Sequence, residues 1–199
     1  MSHVTCHISI SLDGYVAGPN QSLDNPIGEG GMRLHHWAFD GGTDADEEVR
    51  EQITRGFGAY IMGRKMFGGG DGSWDESWQG WWGEDPPYHA PVYVLTHHER
   101  EPLQMQGGTT FHFATGGIEA ALLQARAAAG DADIAIAGGA STVQQVLAAG
   151  ELDELYLHIA PILLGAGERL LENVGEPKLE PVEVVATPAC THVRYRVIR

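Results

Sequence analysis

Short apolar segments that alternate with helical segments constrain the fold of this chain more than any other feature. Four segments have the length and composition of buried strands: 59–62, 92–96, 110–113 and 134–137. Capping residues and apolar spacing predict helices over 44–57, 118–129 and 141–149. Strands that are separated by helices pair in parallel, because a helical crossover returns the chain to the same edge of the sheet.

Both ends of the chain add further strands. Residues 3–12 alternate apolar and polar side chains, which indicates a half-buried strand, and 15–17 resumes the strand after a turn at Asp13-Gly14. Three more strands are predicted, over 152–159, 182–186 and 191–198. The expected fold is an α/β sandwich of one domain, 1–199, with a mainly parallel sheet and an antiparallel C-terminal edge.

The composition excludes several classes of protein. The chain has 12 Lys and Arg against 27 Asp and Glu, a formal net charge of −15, which argues against binding nucleic acid or an anionic membrane. No apolar run is long enough to cross a bilayer and no signal peptide is visible, so we expect a cytoplasmic protein. Cys6 and Cys190 are expected as buried free thiols, and the ten histidines lack metal-site spacing.

The segment 21–42 is rich in Gly, Asn, Asp and Pro and is expected to be a long functional loop, because loops of this length are binding elements or disordered. Residues 66–90 contain a glycine cluster and four tryptophans whose spacing would gather them on one helical face: Trp74, Trp78, Trp81 and Trp82. They form either an apolar strip against the core or a partner subunit, or a lid that stacks on a flat substrate.

Three predicted strand ends carry groups that suit a dinucleotide. Arg64 and Lys65 follow the first buried strand, where they bind an anion or only solvate a helix start. Gly138-Gly139 precedes a helix whose N–H groups suit a pyrophosphate, although a tight turn capped by Ser141 explains it equally well. Thr96 and the histidines after it form the third end, or a solvated loop.

The order of five motifs resembles the dihydrofolate reductase-like fold. The chain is most similar to the reductase domain of the bifunctional riboflavin-biosynthesis deaminase-reductases, and within that family to its stand-alone members. The match runs from about residue 4 to 198 and is loose in two segments, 20–45 and 68–90. The motifs that carry it are 9–18, 62–67, 94–96, 137–140 and 155–167. The zinc deaminase half is missing, because its His-x-Glu and Pro-Cys-x-x-Cys motifs are absent.

The resemblance implies a three-layer sandwich with an eight-stranded mixed sheet, NADPH as hydride donor, a small-molecule substrate and a homodimer. Relatives often have a cis peptide bond between the paired glycines. Carried over by motif, Val16, Ala17 and Gly18 would lie against the nicotinamide. The phosphates would meet Gly63, Arg64 and Lys65, and the adenosine would meet Leu95, Thr96 and His97. The pyrophosphate loop would consist of Gly138, Gly139, Ala140, Ser141 and Thr142.

The residues that contact the substrate and donate a proton are less well defined. Asp13 matches a Ser-x-Asp-Gly signature of the riboflavin-type reductases and is a candidate for both roles, although it also suits a strand-ending turn. His36, or His35 beside it, is the alternative proton donor unless both are exposed loop histidines. Trp37 is expected at the substrate. Leu34 falls where true dihydrofolate reductases have their acidic residue, which argues against dihydrofolate as the substrate.

These features predict an NADPH-dependent reductase that acts on a C=O or C=N of a small polar heterocycle. The resemblance suggests a ribosylamino-pyrimidine of riboflavin biosynthesis, of the 5-amino-6-(5-phosphoribosylamino)uracil type. Two alternatives remain at this stage: dihydrofolate reductase activity, and a nucleotide-binding module without turnover.

Overall fold

The computed structural model describes residues 2–53, 56–68, 70 and 72–198. The strands, in chain order, are β1 (Val4–Ser11), β2 (Tyr15–Ala17), β3 (Ala59–Gly63), β4 (Pro91–Leu95), β5 (Leu103–Gln104), β6 (Thr110–Ala114), β7 (Ile134–Gly138), β8 (Glu154–Ala160), β9 (Glu168–Arg169), β10 (Lys178–Ala186) and β11 (Thr191–Ile198). The α-helices are α1 (His36–Phe39), α2 (Asp44–Ile53), α3 (Arg64–Phe67), α4 (Gly117–Ala129) and α5 (Ala140–Ala148). Short 3₁₀ helices cover Gly31–His35 and Gln106–Gly108.

The strands form a nine-stranded mixed sheet in the order β10-β11-β8-β1-β7-β3-β4-β6-β5, and β2 pairs with β9 in a separate ribbon. The six strands from β8 to β6 run parallel to one another. Both edges are antiparallel, because β10, β11 and β8 follow one another without a crossover helix and β5 turns back on β6. The predicted α/β fold, with its mainly parallel sheet and antiparallel C-terminal edge, is confirmed.

One face of the sheet packs against α4 and α5 and holds the main core. Ile61, Ile136 and Leu155 point from their strands into this core and are almost fully buried, as are Leu122 of α4 and Val143 of α5. Each buried aliphatic side chain of this size contributes about 1.5–3 kcal/mol. The short apolar runs of the sequence therefore supply most of the stabilising contact area.

The other face is covered by two separate groups of residues. Over β3, β4 and β6 lies an aromatic cluster around Phe67, whose ring is 5.0 Å from that of Phe111 and 5.4 Å from that of Phe113. Over β8 and β11 lies a smaller cluster that contains Trp37 of α1 and Val49 of α2. A cavity opens at this face, with walls that include residues from both sides.

The structure differs from the predicted strand count and from one predicted loop. The sheet has nine strands rather than eight, because the two-residue β5 extends it at one edge. Such a strand is too short to produce a periodic pattern. The segment 21–42 is not a continuous loop, since it contains the 3₁₀ helix Gly31–His35 and then α1.

The helix predicted over 44–57 is shorter in the structure. It covers Asp44–Ile53, residues 54 and 55 lie outside the described part of the chain, and Gly56 and Phe57 are not helical. Glycine and the need to turn into β3 oppose continuation of the helix, which explains its end. At its start, the Asp46 carboxylate accepts hydrogen bonds from the backbone N–H and the hydroxyl of Thr43, both at 2.7 Å.

The prediction that four tryptophans share one helical face is wrong. The described residues between 70 and 90 form turns and bends, with no helix among them. Tertiary packing places the rings instead: Trp74 lies against Phe113 at 4.7 Å, Trp82 against Phe111 at 5.9 Å, and Trp78 contacts Trp81 at 4.6 Å. The helical spacing of these residues is coincidental.

Cys6 and Cys190 are buried free thiols, as predicted. Burial raises the pKa of each to about 12, so neither is ionised at neutral pH. None of the helices that the described residues form is long and apolar enough to span a membrane.

Polar side chains occupy the second face of β1, β8 and β11, where an apolar layer would be expected. The strand register places Ser9 opposite His158, and His158 opposite His192, so that the three residues form a row across the sheet. His7 lies two residues before Ser9 and stacks on Tyr156, with ring centroids 3.9 Å apart. We call Ser9, His158 and His192 the polar row.

These histidines make stability depend on pH. Burial lowers the pKa of His7 to about 4 and that of His158 well below 6.5. In the unfolded chain both histidines have a pKa of about 6.5, so the unfolded state binds more protons than the folded state does between about pH 6.5 and 4. We expect the midpoint of urea unfolding to fall as the pH is lowered from 7 to 5. His7→Gln should reduce that fall and His3→Gln, at an exposed position, should not; equal pH dependence in all three proteins would contradict this account.

Candidate functional site

The cavity has a volume of about 770 Å³, within the range of small-molecule sites. It lies where β3, β4 and β7 end, because parallel neighbours bring their carboxyl ends to one edge of the sheet. Thirteen of the fourteen predicted cofactor residues line it. They are Val16, Ala17, Gly63, Arg64, Lys65, Leu95, Thr96, His97, Gly138, Gly139, Ala140, Ser141 and Thr142.

The turn from β7 into α5 forms one end of the cavity. The Gly138–Gly139 peptide bond is cis, as the resemblance implies, and α5 begins at Ala140, so Gly139 rather than Ser141 is its N-cap. Thr142 is 1% exposed, and its Oγ1 atom has no hydrogen-bond partner among the residues that the structure describes. A Cβ at Gly63 would lie 2.8 Å from this oxygen. A buried hydroxyl at a helix N-terminus, beside a glycine, suits a phosphate group.

Arg64 and Lys65, which follow β3, differ in their surroundings. The guanidinium of Arg64 lies over the Trp74 ring, 3.2 Å from its centroid, and donates to Thr96 Oγ1 at 3.3 Å and to the Gly72 carbonyl at 3.1 Å. Lys65 is exposed and pairs with Glu168 at 2.9 Å. Arg64 is therefore held in one orientation at the cavity wall, whereas Lys65 contributes a solvated positive charge.

Gly18 is the one predicted cofactor residue that is absent from the cavity lining. Its backbone N–H donates to the Ile27 carbonyl at 2.8 Å, and a Cβ at this position would collide with the Glu29 carbonyl. Gly18 thus allows residues 27–29 to pack against β2. It shapes the wall without being part of its surface.

The structure places Asp13 outside the cavity lining. Its carboxylate accepts hydrogen bonds from Ser11 Oγ at 2.6 Å and from the backbone N–H groups of Leu164 and Gly165 at 3.1 and 2.7 Å. The bond from Ser11, with those from Gly165 and Leu164, lowers the pKa of Asp13 to about 2. An ionised carboxylate with these partners holds the loop after β8, which favours the structural reading of Asp13.

His36 and Trp37 also lie outside the cavity lining, whereas His35 is part of it. His36 is exposed, at the start of α1. Trp37 is buried, and its indole Nε1 donates to Ser9 Oγ at 3.0 Å. The structure therefore favours His35 over His36 at the site. Burial lowers the pKa of His35 below its ordinary value, so the imidazole is mostly neutral at pH 7.

Sequence reasoning missed several residues of the lining. Ser9 belongs to the motif 9–18 but was assigned no role, although it lines the cavity. Ile27 and Phe39 lie in the segment 21–42, which was expected to be a functional loop but without these residues being named as part of a site. Trp81 and Trp82 also line the cavity, in keeping with the alternative that the tryptophans stack on a substrate, whereas Trp74 and Trp78 are absent from the lining.

Comparisons with known proteins identify the fold. A putative riboflavin biosynthesis protein from Shewanella sp. PV-4 is 23% identical over all of both chains, with a TM-score of 0.67. The dihydrofolate reductase of Enterococcus faecalis, solved with NADP(H), is 14% identical over 98% of this chain and 96% of that chain, with a TM-score of 0.56. No curated protein sequence matches the chain.

A bifunctional enzyme from Thermotoga maritima is a third neighbour. It is a diaminohydroxyphosphoribosylaminopyrimidine deaminase and 5-amino-6-(5-phosphoribosylamino)uracil reductase, 14% identical, with a TM-score of 0.60. The match covers 99% of this chain and 57% of that chain. These likenesses define the class as an α/β protein of the dihydrofolate reductase-like fold.

The family model of the RibD C-terminal domain matches residues 2–193. The chain therefore belongs to the RibD C-terminal domain family.

Asp13 provides a test of the structural reading. Asp13→Ala removes the acceptor of the Leu164 and Gly165 N–H groups, so the melting temperature of this variant should be lower than that of the wild type. Asp13→Asn keeps one acceptor oxygen, so its melting temperature should fall less. Asp24→Ala, at an exposed loop position, is the matched control. Thermal unfolding followed by circular dichroism measures the difference. A wild-type melting temperature in Asp13→Ala, with lost turnover, would restore the substrate role.

Proposed function

We propose that this protein is an NADPH-dependent reductase that reduces a C=O or C=N bond of a small polar heterocycle. A ribosylamino-pyrimidine of the 5-amino-6-(5-phosphoribosylamino)uracil type is the candidate substrate, since the Thermotoga maritima neighbour is named for that reduction. The observation that carries the proposal is the Thr142 hydroxyl at the start of α5. It is buried beside Gly63 and has no hydrogen-bond partner among the residues that the structure describes.

The residues around that hydroxyl fit a dinucleotide. Thr142 and the N–H groups at the start of α5 would bind the pyrophosphate, and Arg64 would bind the 2′-phosphate that distinguishes NADPH from NADH. Leu95, Thr96 and His97 would contact the adenosine. Val16 and Ala17 would lie against the nicotinamide, which supplies the hydride when bound.

The chain's own contribution is to position the two reactants and exclude water. Of the described residues that line the cavity, Glu168 is the only carboxylate, and it pairs with Lys65. Three histidines also line the cavity, and His97 and His98 follow β4, on the side proposed for the adenosine. The group best placed to donate a proton to the reduced atom is therefore the His35 imidazole. Because its pKa lies below the ordinary value, its protonated form is a stronger acid than a solvated imidazolium but is less populated at pH 7.

The two alternatives predict different results. Leu34 is an aliphatic residue and is fully buried, so this position supplies no acidic group to protonate dihydrofolate. A nucleotide-binding module without turnover would bind NADPH and oxidise none in the presence of a ribosylamino-pyrimidine. Turnover of NADPH with each candidate substrate, followed by its absorbance, separates these outcomes.

Titration of the protein with NADPH and NADH, followed by nicotinamide fluorescence, tests the cofactor. We expect NADPH to bind more tightly, and Arg64→Ala to reduce the preference about 10- to 100-fold, since charge-assisted bonds to phosphate contribute about 1.5–3 kcal/mol. Arg196→Ala, which removes the same charge from the exposed end of β11, should keep the preference. Equal affinities for both nucleotides in the wild type would reject the role of Arg64.

The adjacent histidines form a matched pair of variants. We expect kcat/KM for 5-amino-6-(5-phosphoribosylamino)uracil to increase as the pH falls from 8 to 6, because the protonated fraction of His35 increases. His35→Gln should remove this increase and lower the rate about 100-fold, which is typical of a lost general acid. His36→Gln should behave as the wild type. The assignment is wrong if both variants keep the wild-type pH profile.

A further inference from the structure

Ser9 differs from the other residues of the cavity wall in how its hydroxyl is held. It lies on β1, with the polar side chains that face away from α4 and α5, and is 6% exposed. The cavity lining includes Ser9 together with Val16 and Ala17 of β2, the strand that follows β1 after a tight turn. In the proposed orientation of the cofactor, Ser9 is thus a buried hydroxyl on the nicotinamide side of the cavity.

The hydrogen bond to Ser9 has a fixed direction. Trp37 Nε1 lies 3.0 Å from Ser9 Oγ, and an indole nitrogen only donates, so Ser9 accepts in this bond. Its own O–H proton is not used there. Among the residues that the structure describes, no acceptor takes that proton, which leaves the O–H group available to an atom in the cavity.

The orientation of Trp37 depends on the rest of the polar row. Its ring centroid lies 4.8 Å from those of both His158 and His192. The Nδ1 atoms of these two histidines are 2.9 Å apart, and His192 Nε2 is 2.9 Å from Asp46 Oδ1. Asp46 is 1% exposed and also accepts from Thr187 at 2.9 Å. Four hydrogen-bonded or stacked side chains therefore fix the indole against Ser9.

The protons in this arrangement are also ordered. Although burial alone would raise it, hydrogen bonds from Thr43, His192 and Thr187 lower the pKa of Asp46 to about 2, so the carboxylate only accepts. His192 Nε2 must then donate to Asp46, and one of the two Nδ1 atoms of His192 and His158 donates to the other. Neither ring can rotate without losing a bond. The support beneath Trp37 is consequently rigid.

We propose that the Ser9 hydroxyl donates a hydrogen bond to a carbonyl oxygen of the ligand in the cavity, and that Trp37 is the positioning residue that directs it. The carbonyl belongs either to the nicotinamide carboxamide or to a pyrimidine ring, and both have the same chemistry at this oxygen. The inference rests on the proposed function for the identity of these ligands.

Two probes distinguish the source of the carbonyl. NADPH binding is measured by nicotinamide fluorescence, and uracil binding by chemical-shift changes in the NMR spectrum of the labelled protein. Ser9→Ala should weaken one of the two about 3- to 15-fold, the range expected for one neutral hydrogen bond. Weaker NADPH binding assigns Ser9 to the nicotinamide, and weaker uracil binding assigns it to the substrate.

Trp37→Phe tests the positioning role, because it keeps an aromatic ring and removes only the indole N–H. It should lower the affinity for the same probe as Ser9→Ala does, and the double variant should bind that probe no more weakly than Ser9→Ala alone. A merely structural role of Trp37 would make the two effects additive. Trp78→Phe removes an equivalent bond, from Trp78 Nε1 to the Phe67 carbonyl at 3.0 Å. Trp78 itself does not line the cavity and the variant keeps an aromatic ring beside Trp81, so it should change neither affinity.

The outcomes separate this inference from the proposed function. If the wild type binds NADPH and Ser9→Ala binds both probes with wild-type affinity, the Ser9 inference is overturned and the cofactor assignment stands. If the wild type binds uracil but not NADPH, and Ser9→Ala weakens the binding of uracil, the Ser9 inference stands and the cofactor assignment fails. If the wild type binds neither probe, both are overturned.

Discussion

Parallel pairing of β3 with β4 and β7 is the interaction on which the site depends. The register places Gly63 opposite Leu95 and Met62 opposite Gly138, although these residues are separated by 30 to 80 positions in the chain. Backbone hydrogen bonds of the sheet therefore fix the distances between the three turns. That register brings the residues that follow the strands, Arg64 and Thr96 among them, close enough for Arg64 to donate to the Thr96 hydroxyl.

The second face of the sheet has two different chemistries. One side is an aromatic cluster around Phe67, and the other is a row of hydroxyl and imidazole groups beneath Trp37. The buried histidines are tolerated because Asp46 and the neighbouring imidazole satisfy most of their polar atoms. A cavity between these sides meets apolar rings at one wall and hydrogen-bonding groups at the other, which suits a flat polar heterocycle.

The sequence predicted the central strands and the turns after them, because short apolar runs ended by glycine report directly on buried parallel strands. It also predicted that these strands pair in parallel, which helical crossovers impose. It did not predict which of two adjacent histidines faces the cavity, since that depends on where a 3₁₀ helix ends. The contact between His158 and His192, 34 residues apart, arises only from the register of β8 and β11. The tryptophan positions were set by tertiary packing, which overrode their helical spacing.

The ribbon of β2 and β9 carries Val16, Ala17 and Glu168 at the cavity, yet it is not hydrogen-bonded into the nine-stranded sheet as a strand. It is attached through turns, such as the one after β1, where the Gly14 N–H donates to the Ser11 carbonyl at 3.0 Å. Insertions or deletions in this ribbon would resize the cavity without shifting the register of the main sheet. The size of the cavity is thus separable from the backbone pairing that positions its phosphate-binding turns.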